Sequence, residues 1–206
     1  MITLEEKNNL IEDFKIKFQN DKTIVLDAWD HSHYAIPKII NEKNYKIGLE
    51  IGCAFGGHLE KILSTTNIQK LYGTDPYAFY SDYEKENDAL CMKQDILDYI
   101  CNFVKTNLSY YDNRFELIRD YSANAANLFE DASLDFVYID GNHSYEYVKQ
   151  DLTLWWPKIK LGGMLCGHDY DHPSIPQVTT CVDEFFKQLD KNVENLKDHN
   201  WCVYKN

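Results

Sequence analysis

The sequence has no apolar run that approaches the roughly 20 residues needed to span a membrane. Its first segment, Met1 to Leu10, is acidic and amide-rich and lacks the basic and then apolar pattern of a secretory signal. Basic residues are also few, since 21 Lys and Arg oppose 33 Asp and Glu and give a formal net charge of -12, which repels polyanions. We therefore expect a cytoplasmic protein that binds neither nucleic acid nor membrane; a homo-oligomer is compatible with this composition.

Paired cysteine motifs, internal repeats and linkers are absent as well. The six cysteines are far apart and show no CxxC spacing, which argues against a zinc knuckle and a dense disulfide framework, so we predict reduced, mostly buried thiols. No Pro/Gly/Ser-rich stretch divides the 206 residues, and 44% of them are hydrophobic, enough for one sizeable core. We expect one domain over residues 1–206, with an N-terminal helical cap (1–45) on a core (46–206).

Short apolar runs alternate with helical periodicities along the chain. The predicted strands cover residues 47–51, 71–75, 115–120, 134–140, 164–168 and 201–204. The first two predicted helices are an N-terminal amphipathic helix with the stripe Leu4, Ile11, Phe14 and Phe18, and a helix over 58–63 after a glycine turn. Two more are a helix over 145–159 broken near Pro157 and a last helix over 178–189. This alternation predicts an α/β fold with a mostly parallel central sheet and helices on both faces.

A glycine turn follows the first predicted strand. Its spacing, Gly52-x-x-x-Gly56-Gly57, differs from the GxGxxG of dinucleotide oxidoreductases, but it lets the backbone approach a ligand at a helix start. Asp75 lies 23 positions after Gly52, close to the roughly 20 residues at which an acid reaches the ribose hydroxyls of an adenosine ligand. The alternatives are a purely structural glycine corner and an Asp75 that only caps a turn with Pro76.

Carboxylates stand at or near the ends of five successive predicted strands, and such strand ends share one edge of a parallel sheet. The series Glu50-x-Gly52-x-x-x-Gly56, Asp75 and Asp120 resembles the nucleoside-binding residues of class I S-adenosylmethionine (SAM) dependent methyltransferases. The segment from Ile139 to Tyr145, with Trp155, Gly162-Gly163 and Gly167-His168-Asp169-Tyr170, is similar to a small-molecule O-methyltransferase group that includes the macrolide-sugar (macrocin-type) enzymes. The similarity runs from about Tyr45 to Phe186 and implies a Rossmann-like fold.

The resemblance also implies roles for individual residues. Glu50 and Gly52 would line the methionine and sugar part of SAM, Asp75 would hold the ribose hydroxyls, and Asp120 with Tyr121 would lie beside adenine. The full cofactor-binding set is Glu50, Gly52, Cys53, Gly56, Asp75, Pro76, Asp120, Tyr121 and Asp140. One departure from the group is His58, where a small hydroxyl residue is common.

The resemblance further implies that Asp140 and Asp169 bind a divalent cation and that His143 is the general base, with His143 and Asp140 as the catalytic residues. Carboxylate oxygens suit Mg²⁺ or Mn²⁺, and imidazole titrates near the working pH of a base. His168 is our third candidate ligand, and Asp171 in the same loop is an alternative. Taken singly, Asp140 is also compatible with a helix cap, His143 with a surface histidine and Asp169 with a turn residue.

The predicted function is SAM-dependent O-methylation of a small molecule, with a sugar or nucleotide-linked sugar as the leading acceptor. The aromatic stretch over residues 77–83 opens a long connection and, with Trp29, His31, His33 and Tyr34, is a candidate wall of the acceptor site. Three alternatives stay open: a metal-independent methyltransferase, a non-catalytic SAM-binding protein, and an NAD-dependent oxidoreductase, which the glycine spacing disfavours.

Overall fold

A computed structural model describes residues 1–20, 35–78 and 93–206 of the chain. Its helices are α1 (Leu4–Phe18), α2 (Ala35–Lys43), α3 (Gly57–Thr65), α4 (Gln94–Leu108), α5 (Ser122–Ala125), α6 (Tyr145–Trp155) and α7 (Pro176–Gln188). Its strands are β1 (Ile47–Ile51), β2 (Lys70–Thr74), β3 (Phe115–Ile118), β4 (Leu134–Ile139), β5 (Ile159–Gly167), β6 (Glu194–Asn195) and β7 (Trp201–Tyr204). Within these residues, no helix combines the length and apolar character that crossing a bilayer requires.

The strands form one seven-stranded sheet in the order β3-β2-β1-β4-β5-β7-β6. The strands β1 to β5 pair in parallel, and β7 runs antiparallel to both β5 and β6. The strand order reverses between β1 and β4, which is where an open α/β sheet binds its ligands. The predicted α/β fold with a mostly parallel sheet is confirmed.

The sheet separates two apolar cores. Because side chains alternate along a strand, Phe136 and Tyr138 of β4 face one core, while Val137 and Ile139 face the other. The first core contains buried residues of α1 to α4, and the second contains those of α5 to α7. Helices therefore cover both faces, as the sequence predicts.

The registers align the carboxyl ends of five strands. Ile51 of β1 is level with Thr74 of β2 and Ile139 of β4, and the same alignment continues outward to Ile118 of β3 and Gly167 of β5. The residues that follow these five positions therefore emerge at one edge of the sheet. This edge is where the sequence places its carboxylates.

The N-terminal helix α1 packs on α4 through aromatic rings. Phe14 lies with its ring centroid 4.2 Å from that of Phe103, and Phe18 also contacts α4. Leu4, the first member of the predicted stripe, is 55% exposed instead of buried. Lys7 is buried at this end of the helix because its ammonium lies 2.9 Å from the carboxylate of Glu60.

The predicted helix over 145–159 is wrong at its end. The helix α6 stops at Trp155, and Ile159 instead begins β5, where it pairs with Leu134. Pro157 has no N–H to continue a helix, so the chain turns here. The nine-residue strand β5 therefore starts five residues before the predicted one and runs through the Gly162-Gly163 pair.

The prediction of reduced, buried thiols holds for the five cysteines among the described residues, which are all free and buried; Cys91 lies outside those residues.

Candidate functional site

A cavity of about 410 Å³ lies at the carboxyl edge of the sheet. Five of the predicted cofactor residues line it, namely Gly52, Asp75, Pro76, Tyr121 and Asp140. The remaining four, namely Glu50, Cys53, Gly56 and Asp120, are absent from its wall among the described residues. The structure thus brings the end of β1, the end of β2 and the end of β4 to one hollow.

The first position of the turn after β1 requires glycine, because a side chain at Gly52 would collide with the backbone of Asp140. A Cβ there would lie 2.0 Å from the carbonyl oxygen of Asp140, and the φ of Gly52 is +83°. The Gly52 N–H donates to the carbonyl of Thr74, and the Asp140 N–H donates to the carbonyl of Ile51, both at 2.9 Å. Only glycine therefore lets β1, β2 and β4 meet this closely.

Asp75 holds the glycine turn in place. Its Oδ2 accepts hydrogen bonds from the backbone N–H groups of Cys53 (2.9 Å) and Ala54 (3.2 Å), and its Oδ1 accepts one from Tyr77 N–H (2.8 Å). Burial raises the pKa of this carboxyl despite these bonds. Oδ2 already accepts two bonds, but Oδ1 accepts only one, so this carboxylate can still receive one ligand hydroxyl at Oδ1.

Glu50 and His58 form a buried pair behind the cavity wall. His58 Nδ1 lies 2.8 Å from Glu50 Oε2, and the imidazole packs against the ring of Tyr138 at 4.3 Å between centroids. Burial raises the pKa of Glu50, and the neighbouring imidazole opposes that shift. His58, which replaces the small hydroxyl residue common in the resembled group, therefore has the buried carboxylate of Glu50 as its partner.

The other residues outside the cavity wall have structural partners. Cys53 is buried, and its Sγ lies 2.8 Å from where a Cβ on Gly73 would stand. Gly56 caps α3 with a φ of +79°. The Asp120 Oδ1 accepts the Tyr121 N–H and the Asn124 amide, both at 2.7 Å, and so fixes the start of α5.

Sequence reasoning missed a chain of hydrogen bonds that joins α6 to Ser122, the first residue of α5. Asp151 of α6 is 4% exposed and lines the cavity, and its Oδ1 accepts the hydroxyl of Ser122 at 2.5 Å. Trp155 Nε1 donates to the same hydroxyl oxygen at 2.7 Å. Asp151-Leu152 belongs to the stretch that resembles the small-molecule O-methyltransferase group, but that resemblance assigned Asp151 no role.

Asp140, His143 and Asp169 converge beside the cavity, on the side of β5. His143 Nε2 lies 2.9 Å from Asp169 Oδ2 and 3.9 Å from Asp140 Oδ1. One ligand atom from each of the three residues lies within 4.8 Å of the others. Asp140 does not cap α6, because the N-cap residue of that helix is Ser144.

His168 lies on the other side of Asp169 and is held by the turn before β7. Its Nδ1 is 3.2 Å from Asp169 Oδ1 and 4.0 Å from Asp140 Oδ1, while Nε2 is 2.9 Å from the carbonyl oxygen of Asp198. Asn200 is fully buried, donates to the Asp198 carbonyl and accepts the Tyr138 hydroxyl. The turn therefore fixes the ring of His168 with Nδ1 facing the carboxylates.

The carboxylates and imidazoles of this cluster shift one another's pKa values. Burial disfavours the charged form of His143, but the neighbouring carboxylates of Asp140 and Asp169 raise its pKa to about 10. Burial likewise opposes ionisation of Asp169, yet the hydrogen bonds from His143 and His168 lower its pKa well below the usual value. Burial alone would lower the pKa of His168, but its hydrogen bond to Asp169 opposes this effect, and the pKa is raised.

The donor set fits a divalent cation. The carboxylates of Asp140 and Asp169 are oxygen donors of the kind that suits Mg²⁺ or Mn²⁺, and His143 is the imidazole that lies with them within 4.8 Å. Within the described chain, only the imidazoles of His143 and His168 form ion pairs with these carboxylates. Neither His168 nor Asp171, the two candidates for a third ligand, belongs to this group, and Asp171 Oδ2 accepts the Asn195 amide at 2.7 Å.

The predicted acceptor wall is only partly described. Tyr77 is 3% exposed and donates its hydroxyl to the Ala54 carbonyl at 2.9 Å, so this hydroxyl braces the glycine turn. The rest of the aromatic stretch, residues 79–83, lies outside the described residues, as do Trp29, His31, His33 and Tyr34.

Comparisons with known proteins show the family of the chain. The family model described as a methyltransferase domain matches residues 49–170, more than half of the chain. The uncharacterized protein R132 of Acanthamoeba polyphaga mimivirus is 28% identical over 154 residues, which cover 72% of this chain. The chain spans about 62% of the length of that curated relative.

Solved structures share the fold at low sequence identity. A provisionally assigned caffeoyl-CoA O-methyltransferase from Staphylococcus aureus has a TM-score of 0.60 at 17% identity, covering 95% of this chain and 92% of that one. The O-methyltransferase NovP has a TM-score of 0.62 at 17% identity, covering 88% and 81%. The family match and the shared fold agree with the class predicted from the sequence, and the chain belongs to the methyltransferase-domain family of class I SAM-dependent methyltransferases.

Proposed function

We propose that this chain transfers the methyl group of SAM to a hydroxyl of a small molecule, and that the acceptor is a sugar or a nucleotide-linked sugar. The observation that carries the proposal is the convergence of Asp140, His143 and Asp169 beside a cavity that Asp140 also lines. The sugar class rests on the macrocin-type resemblance of residues 139–145.

SAM binding follows the ends of the strands. Gly52 and Asp75 line the cavity and would meet the methionine and ribose parts of the cofactor, and Tyr121 lines the cavity after β3. Glu50 would contribute indirectly, because its pairing with His58 fixes the strand that precedes Gly52. The cofactor would then extend along the sheet edge, with its sulfonium towards Asp140.

The reaction depends mainly on positioning, because a sulfonium methyl is already activated and the acceptor oxygen has only to be held in line. Asp140 and Asp169 would hold the divalent cation, which would supply positive charge that polarises the acceptor hydroxyl. His143, in its neutral form, would take the hydroxyl proton at Nε2. His168 keeps Asp169 oriented from the opposite side through Nδ1.

The test is methyl transfer from SAM to a panel of sugars, nucleotide sugars and phenols, with Mg²⁺ and with a chelator. We expect methylation of a sugar hydroxyl that the chelator abolishes and added Mg²⁺ restores. Turnover that survives the chelator would assign the reaction to a metal-independent methyltransferase, in which His143 and His168 alone neutralise the two carboxylates. Tight SAM binding without transfer to any acceptor would contradict the proposed activity.

A further inference from the structure

A directed chain of hydrogen bonds ends on Asp151 at the wall of the cavity. An indole N–H can only donate, so the Ser122 oxygen accepts from Trp155 Nε1 and must use its own hydrogen towards Asp151 Oδ1. Oδ1 is therefore committed as an acceptor. The carboxyl group cannot turn without losing this bond, so the position of Oδ2 is fixed as well.

The second oxygen of Asp151 is left for a ligand. Within the part of the chain that the structure describes, no donor is bonded to Oδ2, although the residue is only 4% exposed. Oδ2 lies 4.0 Å from the point where a Cβ on Gly141 would stand, and both residues line the cavity. Oδ2 is not one of the buried, unpartnered side-chain atoms of the described residues, so it keeps contact with solvent, and a ligand in the cavity can bring a donor to it.

The position of Asp151 in the cavity determines which part of a bound ligand it would contact. Asp151 bonds Ser122, which follows β3, and its Oδ2 lies near Gly141, which follows β4, whereas Asp169 follows β5 on the far side of β4. This step rests on the proposed function, which places the transferred methyl group beside Asp140 and Asp169. The opposite end of SAM, its adenine base, then lies towards Ser122 and Asp151.

We propose that Asp151 Oδ2 accepts a hydrogen bond from the exocyclic amino group of the adenine of SAM and determines specificity for that base. The amino group is the only donor on the adenine ring of the cofactor, and a base with an oxygen in its place would face the carboxylate with a second acceptor. Burial raises the pKa of Asp151 to about 7, and a ligand N–H favours its ionised form.

The test compares two ligands on the full chain by calorimetric titration at about pH 8, where Asp151 is ionised. One ligand is S-adenosylhomocysteine, and the other is its deaminated analogue, S-inosylhomocysteine, which carries an oxygen in place of the amino group. We expect the wild-type protein to bind the adenine ligand about 10- to 100-fold more tightly. In Asp151→Asn, the amide oxygen still accepts from Ser122 and the amide nitrogen occupies the place of Oδ2, so the preference should disappear or reverse.

Glu146→Gln is the matched control, because Glu146 is an exposed carboxylate of α6 that also lines the cavity. We expect this variant to keep the wild-type preference. Equal binding of the two ligands by the wild type, an unchanged preference in Asp151→Asn, or loss of preference in Glu146→Gln would each overturn the assignment. Failure of the proposed acceptor chemistry would show instead as absent methyl transfer with the base preference intact.

Discussion

The buried carboxyl of Asp151 makes the free energy of unfolding depend on pH. Burial raises its native pKa from 3.8 to about 7, against the opposing hydrogen bond from Ser122. Between these pH values the native state keeps its proton while the unfolded state has lost it, so the stability of the wild type falls as pH rises and levels off above about 7. One pH unit is worth about 1.4 kcal/mol, so the whole interval costs about 4 kcal/mol.

Replacing Asp151 with Asn removes this dependence. The amide oxygen still accepts from Ser122, and any cost of burying the amide is the same at every pH. The stability of Asp151→Asn relative to the wild type should therefore increase by about 3 kcal/mol between about pH 5 and about pH 8. Urea unfolding followed by tryptophan fluorescence, without cofactor, measures the difference at each pH.

Asp13→Asn provides the control, because Asp13 is an exposed acid on α1. Its stability relative to the wild type should change little over the same pH interval. A pH-independent difference for Asp151→Asn, or a change of the opposite sign, would refute the claim that Asp151 is buried with a raised pKa.

Three further predictions concern other parts of the site. Gly52→Ala should lower the free energy of unfolding by about 3 kcal/mol or more, because strain at positive φ adds to a backbone collision. Gly162→Ala, with φ +80° and open space around it, should lower it by only about 1 kcal/mol. Similar losses for the two variants in urea unfolding would contradict the collision. His143→Ala should lower kcat by about 100-fold or more and leave S-adenosylhomocysteine affinity unchanged, while His172→Ala keeps a near-normal rate; equal rates in the two variants would remove His143 from the mechanism. Asn200→Ala should weaken Mn²⁺ binding by about 10-fold in calorimetry without changing cofactor affinity, and unaltered Mn²⁺ affinity would show that the turn does not orient the metal ligands.

The elements with strong apolar periodicity could be predicted from the sequence. The strands β1 and β4 are short, mostly apolar runs beside turn residues, and the structure places both within one residue of the predicted ends. The helix α4 was missed, although Leu97, Ile100, Val104 and Leu108 recur at 3, 4 and 4 and are buried. This periodicity lies in the long connection between the second and third predicted strands, which we interpreted as a binding loop.

The candidate site was predictable where its residues follow strands. Asp140 and Asp169 come directly or nearly directly after strands whose ends are aligned, so topology alone brings them together. Which cofactor residues face the cavity was not predictable, because Asp120 and Glu50 have local partners that only the folded chain reveals. Asp151 was missed for a related reason, since its partner Ser122 is 29 residues away.

The turn that holds His168 is formed by residues far along the chain. A ribosome delivers residues in order at about 5 to 20 per second, so Asn200 appears about two to six seconds after Asp169. Every described residue that lines the cavity precedes that interval, whereas the histidine beside the carboxylates still lacks its carbonyl partner from Asp198. The orientation of His168 therefore depends on a segment that is synthesised after the whole wall of the cavity.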